Sequence, residues 1–143
     1  MPNGRRRLLS VVLGTSSREA RAAESQKLLN WGWLAWDTVK LFDAKQAMAF
    51  APVWKGKESS AKLGAAAAVF VTVPKGEGDK LKTNIERIDP LVAPLAQGQR
   101  VGQLKVTTGS GTPVANVPLT VLEPVPLAGI FGRAWDAVRL WIR

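Results

Sequence analysis

The strongest strand signal in the chain is the stretch Val69-Phe70-Val71-Thr72-Val73. Its β-branched and aromatic residues favour an extended conformation. From Leu41 onward the chain holds further short runs of this kind, separated by Gly and Pro, a texture typical of a small antiparallel domain. The other predicted strands are Ala47 to Val53, Leu81 to Ile88, Val101 to Thr107 and Pro118 to Leu122, with a hairpin turn at Gly109-Ser110-Gly111.

Before this domain, the sequence predicts one strand and one helix. Leu8 to Leu13 is nearly continuous apolar sequence, the pattern of a strand covered on both faces. The arginines in front of it imitate a signal peptide, but the apolar run is short and rich in Val, which favours the strand. In Ser16-Ser17-Arg18-Glu19, Ser16 can cap a helix and Glu19 can reach back to it. We predict that this helix runs to about Thr38.

Both of these elements need more cover than the chain provides. The second half of the helix is apolar around more than half of its circumference, whereas a surface helix needs an apolar stripe only about 100° wide. We therefore expect that residues 1 to 40 are the terminal strand and helix of a truncated larger domain.

The last segment, residues 129 to 143, predicts an amphipathic helix after a linker that contains Pro124 and Pro126. Aromatic residues on the apolar face and arginines on the polar face suit a helix that lies in a membrane interface. The predicted membrane-contact residues are Phe131, Arg133, Trp135, Val138, Arg139, Trp141, Ile142 and Arg143. The same pattern fits a helix packed on its own β domain, and the sequence leaves both alternatives open.

Composition excludes several kinds of site. The 143 residues include no His and no Cys, so imidazole and thiolate chemistry are impossible, and serine with lysine is the nucleophile machinery that composition leaves. We also predict no cofactor and no metal site. The net charge of +9 is spread along the chain, with an excess of +4 in residues 1–40, +3 in 41–128 and +2 in 129–143. This spread disfavours nucleic acid as a partner, because nucleic-acid binding needs basic residues gathered on one face.

One Ser-x-x-Lys sequence occurs, from Ser59 to Lys62. On a helix this spacing would let a lysine activate a serine. We interpret it as a chance match in a solvated loop, because short motifs recur by accident and nothing marks a helix start at Ser59. The carboxylates Glu77, Asp79 and Asp89 are interpreted as charged loop residues.

Taken in order, the segments resemble the C-terminal part of the low-molecular-mass penicillin-binding proteins, the D-alanyl-D-alanine carboxypeptidases of Gram-negative bacteria. The residues that carry the resemblance are Arg6 to Gly14, Arg18-Glu19-Ala20, Ala23 to Gly32, Pro52 to Gly56, Val69 to Gly76, Ala93-Pro94-Leu95, Gln99 to Gly102, Pro118-Leu119 and Phe131-Gly132-Arg133. The stretch Ala65 to Ala68 departs from it, because relatives usually carry charged or polar residues there.

The resemblance implies a domain plan. Residues 1–40 would end a penicillin-recognising catalytic domain of α/β type. Residues 41–123 would form a mainly β, antiparallel, sandwich-like domain, and residues 124–143 would be a linker and an amphipathic helix that anchors the protein to the periplasmic face of the inner membrane. The family's catalytic Ser-x-x-Lys, Ser-x-Asn and Lys-Thr-Gly motifs would lie upstream, so none of them is carried over and the chain alone is predicted to be inactive.

Two functions therefore stand as hypotheses. The first is a non-catalytic C-terminal part of a carboxypeptidase that trims peptidoglycan, contributing a spacer domain and attachment to lipid. The alternative is a free-standing basic interaction module that binds cell-wall polymer, such as peptidoglycan, or a protein partner.

Overall fold

A computed structural model of the protein describes residues 6–129 and residue 141. This part of the chain is mainly β, with one long helix at its start. The elements are helix α1 (Arg18–Ala35) and strands β1 (Trp36–Phe42), β2 (Ala49–Trp54), β3 (Ser60–Gly64), β4 (Val69–Pro74), β5 (Lys82–Arg87), β6 (Leu91–Val92), β7 (Arg100–Thr107) and β8 (Pro113–Val121). A short 3₁₀ helix, Gly78–Lys80, lies between β4 and β5.

The strands form two sheets. Strands β1 and β4 pair antiparallel in a two-stranded sheet, and the other six lie in the order β5-β7-β8-β3-β2-β6. Every pairing in the larger sheet is antiparallel except that of β2 with β6. The predicted antiparallel β domain is thus confirmed. Five of its strands were predicted, although β8 begins at Pro113, five residues earlier than expected.

The core has two parts. Between the sheets, Val71 of β4 packs with Leu104 and Val106 of β7. The alternation in β4 explains this, because Val69, Val71 and Val73 are buried while the residues between them are exposed. The second cluster lies on the larger sheet. The buried residues of this cluster are Ala51, Val53, Ala61, Leu63, Leu91, Ala93, Leu95, Val101, Leu119, Val121 and Val125.

The N-terminal strand prediction is wrong. Residues 8–13 form no strand; they run beside α1, where Ser10 Oγ lies 3.2 Å from Ser25 Oγ, and Leu9 remains 92% exposed. The physical reason is that a strand needs neighbouring strands for its backbone groups, and the described part of the chain offers this segment none.

The helix prediction is right in kind but wrong at both ends. Ser17, not Ser16, is the N-cap: its Oγ accepts a hydrogen bond from Ala20 N at 3.1 Å. Glu19 therefore lies in the first turn, where its charge complements the helix dipole. The helix ends at Ala35 rather than near Thr38, because the next residues pair with β4, beginning with Trp36 opposite Pro74.

Two loop predictions have different outcomes. The turn at Gly109–Gly111 connects β7 to β8 as predicted, and Gly111 has a φ of +92°, a conformation that favours glycine. The loop predicted around Ser59–Lys62 is instead largely strand β3. Its buried Ala61 and Leu63 alternate with exposed Ser60 and Lys62, but small residues make this pattern weak in the sequence.

Gly102 of β7 lies opposite Arg87 of β5 with no room for a side chain, and we expect Gly102→Ala to lower the free energy of unfolding by about 1–3 kcal/mol. A Cβ on Gly102 would collide with the carbonyl oxygen of Glu86 and lie 2.8 Å from Arg87 Cα. These are backbone atoms, so relief requires distortion of the β5–β7 ladder. Urea denaturation measures the effect.

Gly129→Ala is the matched control for this substitution, because a Cβ added at Gly129 would have no neighbour within 4 Å. We expect the control to change stability by no more than about 0.5 kcal/mol. Equal stability of the two variants would contradict the close approach at Gly102.

Candidate functional site

The Ser-x-x-Lys sequence does not form a catalytic pair. Ser59 lies in the loop before β3 and Lys62 lies within the strand, so the helical geometry that would bring two residues three apart together is absent here. The Lys62 ammonium instead pairs with Glu123, at 3.0 Å between Nζ and Oε1. Neither group is thus placed to activate the other.

Two of the three loop carboxylates pair with local cations. Glu77 pairs with Lys80 at 3.2 Å, and Asp89 pairs with Arg87 at 3.3 Å. Across residues 6–129 and 141, no three acidic side chains come together in a way that could hold a metal ion.

A polar ladder on the outer face of β5, β7 and β8 was not anticipated from the sequence. Glu86 accepts hydrogen bonds from Lys105 at 2.7 Å and from Gln103 at 2.8 Å, and Asn116 donates to Gln103 at 3.0 Å. The hydrogen bond from Lys105 is the main reason why the pKa of the Glu86 carboxyl lies below its usual value, with Gln103 adding to it. The ladder thus ties three strands together and holds a carboxylate that stays ionised, which suits pairing between strands rather than acid–base catalysis.

A shallow apolar groove of about 340 Å³ lies where the two sheets meet. Its lining residues are Ala65, Ala66, Ala67, Ala68, Val69, Phe70, Val117, Pro118 and Thr120. The alanine stretch, which departs from the resemblance, forms much of its wall. The lining residues carry no titratable side chain; their side chains offer apolar contact and the Thr120 hydroxyl, which donates to Gly64 O at 3.1 Å.

Helix α1 exposes a large apolar surface. It has no buried residue; Trp31 is 61% and Leu34 65% exposed. Arg6 contacts the last turns of the helix: its guanidinium lies 4.7 Å from the centroid of the Trp33 ring and donates to the backbone oxygens of Gly32 and Trp33. A cation at these oxygens complements the negative end of the helix dipole.

The predicted linker after β8 is docked on the β domain. Leu95 and Val125 exchange two backbone hydrogen bonds of 2.9 Å, and Val125 is buried. Gly56 then bridges to Leu127, so the segment follows the domain surface to Ala128.

Of the eight predicted membrane-contact residues, only Trp141 lies within the described part of the chain. It is helical and 89% exposed. Phe131, Arg133, Trp135, Val138, Arg139, Ile142 and Arg143 lie outside the described residues, and their role stays a prediction. No described helix combines the length and the apolar character that crossing a bilayer requires.

Comparison with known proteins places these features in a family. The sequence profile described as penicillin-binding protein 5, C-terminal domain, matches residues 36–127, a range that contains all eight strands found in the described part of the chain. The chain is 38% identical over 138 residues to D-alanyl-D-alanine carboxypeptidase DacA of Haemophilus influenzae, an alignment that covers 96% of this chain and 35% of that protein. It is 39% identical over 138 residues to DacC of Escherichia coli K12, with 96% and 34% covered. The chain thus spans about a third of the length of the curated relatives it matches.

Solved structures agree with this assignment. Penicillin-binding protein 5 from Haemophilus influenzae superposes with a TM-score of 0.75 at 35% identity, covering 80% of this chain and 33% of that one. The carboxypeptidase DacD from Francisella tularensis gives a TM-score of 0.55 at 29% identity, with 82% and 29% covered. The chain therefore belongs to the family of the penicillin-binding protein 5 C-terminal domain.

Proposed function

We propose that this chain supplies the spacer domain and the membrane attachment of a periplasmic D-alanyl-D-alanine carboxypeptidase that trims peptidoglycan, and that it carries no catalytic residue itself. The observation that carries the proposal is the family match over residues 36–127, together with relatives that are named as D-alanyl-D-alanine carboxypeptidases. In this arrangement residues 36–127 separate the attachment point from the enzyme's catalytic part.

The geometry around Lys62 supports a non-catalytic role. A lysine that activates a serine must reach the serine oxygen and must be able to lose its proton. Lys62 lies on β3 whereas Ser59 lies in the loop before that strand, and the Lys62 ammonium pairs with the Glu123 carboxylate at 3.0 Å rather than with a serine oxygen. The acyl-serine chemistry of such an enzyme would therefore use residues outside this chain.

The exposed apolar surface of α1 supports the proposal that the N-terminal residues are part of a larger domain. A helix that exposes Trp31 and Leu34 loses the stabilisation that burial of large apolar side chains provides. A catalytic domain packed on this helix would cover that surface, and it would also supply neighbours for Leu8–Leu13.

We expect no covalent penicillin adduct on the 143-residue chain. Among the described residues, no basic side chain is hydrogen-bonded to the Ser59 hydroxyl. Ser59 should therefore remain unmodified when the intact mass of the chain is measured after incubation with a penicillin. An active carboxypeptidase treated in parallel is the positive control. An adduct at Ser59, or at any other residue, would show that the chain contains its own acylation site.

Sedimentation separates the proposed attachment from the alternative of a wall-binding module. We expect the full chain to pellet with vesicles that contain phosphatidylglycerol, and to stay in the supernatant with purified peptidoglycan sacculi. A membrane helix needs lipid, whereas a wall-binding module needs only the polymer. Pelleting with sacculi and not with vesicles would replace the attachment proposal with that alternative.

A further inference from the structure

Strand β5 is an open edge of the larger sheet. It pairs with β7 over six residues without a bulge, and no strand within residues 6–129 and 141 pairs with its other side. The opposite edge of the sheet is protected, because β6 has only two residues and lies between Pro90 and Pro94. β5 contains neither a proline nor a bulge, so its open side can accept another strand.

The backbone bonds next to β5 show which of its residues face the open side. Ile88, directly after the strand, donates from its backbone N to Val101 O at 2.8 Å. In an antiparallel pair, residues that bond to the neighbouring strand alternate with residues whose backbone groups point away from it. The even-numbered residues of β5 therefore bond to β7. The odd-numbered residues, with Thr83 and Ile85 at the centre, present their N–H and C=O groups on the open side.

The side chains on the outer face of β5 are self-complementary in charge. Lys82 and Glu86 lie on this face with Asn84 midway between them. Lys82 is exposed, and none of the ion pairs in the described part of the chain involves it. Glu86 accepts one hydrogen bond at each oxygen, from Lys105 and from Gln103, so each oxygen keeps a lone pair for a further donor.

A second copy of β5 matches this pattern. When two copies run antiparallel about a two-fold axis at Asn84, Lys82 of each copy lies directly opposite Glu86 of the other. These are non-hydrogen-bonded positions, where opposing side chains are closest, while Thr83 and Ile85 of the two copies exchange the backbone bonds. A register centred on Lys82 or on Glu86 would place like charges opposite each other, which destabilises the pairing.

We propose that β5 is a homodimer interface, in which the open edges of two copies pair antiparallel about Asn84 and join their larger sheets into one. The contact lies on the folded β domain and requires no lipid, so it goes beyond the proposed function and does not rest on it. Two paired strand edges bury less surface than the roughly 1,200 Å² of a stable complex. We therefore expect a weak dimer, with a Kd between about 10 μM and 1 mM.

Cross-linking of the full chain tests the register, because the chain contains no cysteine of its own. Asn84→Cys places two cysteines at opposed positions with Cα atoms about 4.5 Å apart, a distance that a disulfide spans. We expect a covalent dimer after mild oxidation with diamide, reversed by a reducing agent. Thr83→Cys is the matched control on the same strand, since its two copies lie more than about 7 Å apart in this register, too far for a disulfide.

Lys82→Glu tests the charge pairing without an introduced cysteine. It converts both opposite-charge pairs of the dimer into like-charge pairs, so the Kd from sedimentation velocity should rise by at least about fivefold. The matched control is Lys57→Glu, which makes the same charge change at an exposed lysine after β2, toward the opposite edge of the sheet. We expect the control to dimerise within about twofold of the unmodified chain, because charges beyond a Debye length are screened.

Three results would each overturn the β5 dimer. The first is an unmodified chain that stays monomeric up to about 1 mM. The second is equal cross-linking of the Asn84→Cys and Thr83→Cys variants. The third is an equal Kd for Lys82→Glu and Lys57→Glu, which is the result expected if the exposed face of α1 held the two copies together. Vesicle binding by a monomeric chain would leave the proposed attachment intact.

Discussion

Truncation of the chain after Gly129 is expected to lower its affinity for phosphatidylglycerol-containing vesicles by at least about a thousandfold. In the proposed attachment, burial of the apolar face of residues 130–143 in lipid would contribute on the order of 5 kcal/mol by area, and tenfold in affinity corresponds to about 1.4 kcal/mol. The arginines of that segment add roughly 1 kcal/mol each near anionic lipid. Vesicle co-sedimentation over a range of lipid concentrations measures the loss.

Two controls make this result specific. A chain in which residues 130–143 are scrambled keeps the same charge and composition but loses the single apolar face, so only weak, salt-sensitive binding should remain. The truncated chain should also melt at the temperature of the full chain, because the contact of Leu127 with Gly56 and the bond of Ala128 to Lys55 are retained. Undiminished binding after truncation would remove the tail from the attachment mechanism.

Leu104→Ala is expected to lower the free energy of unfolding by about 2–5 kcal/mol. Leu104 is 1% exposed and packs with Val71 and Val106 between the two sheets. Its removal takes away buried apolar surface and leaves a cavity between sheets whose backbones are held by their own ladders, so collapse is limited. A domain of this size has only about 5–15 kcal/mol to lose, and urea denaturation should show a clear shift of the midpoint.

Leu9→Ala is the matched control, since it makes the same chemical change at a side chain that is 92% exposed. Its effect should stay within about 0.5 kcal/mol. If Leu9→Ala destabilised the chain as much as Leu104→Ala, the N-terminal segment would be covered in solution. A Leu104→Ala variant as stable as the unmodified chain would contradict the core between the sheets.

The strands could be predicted where local pattern and tertiary pairing agree. In Val69–Val73 the two-residue alternation carries the burial directly, so residue type was sufficient. At Trp36–Thr38 the two conflict: these residues continue the apolar helix in sequence, but they pair with Thr72, Val73 and Pro74. These partner residues lie more than thirty positions away in the sequence, so no local pattern indicates the pairing.

The site was harder to predict for the same reason. Composition alone excludes imidazole and thiolate chemistry, and the poor specificity of Ser-x-x-Lys already argues against a catalytic pair of Ser59 and Lys62 without reference to the structure. The pairing of Lys62 with Glu123, and the contact of the Lys55–Lys57 loop with residues 125–128, join segments about sixty or more positions apart. Hydrophobic periodicity within a window of the sequence contains no information about such contacts.

The direct passage from α1 into β1 has a mechanical consequence. Ala35 ends the helix and Trp36 begins the strand, with no residue between them, and Lys75 N bonds to Ala35 O at 2.9 Å. An 18-residue helix is about 27 Å long, so it acts as a stiff lever joined to the sheet without a hinge. A torque on the far end of α1 would be transmitted to the first residue pair of the β1–β4 sheet, Trp36 and Pro74. Rotation of the helix relative to the sheet would therefore require the backbone hydrogen bonds between β1 and β4 to break.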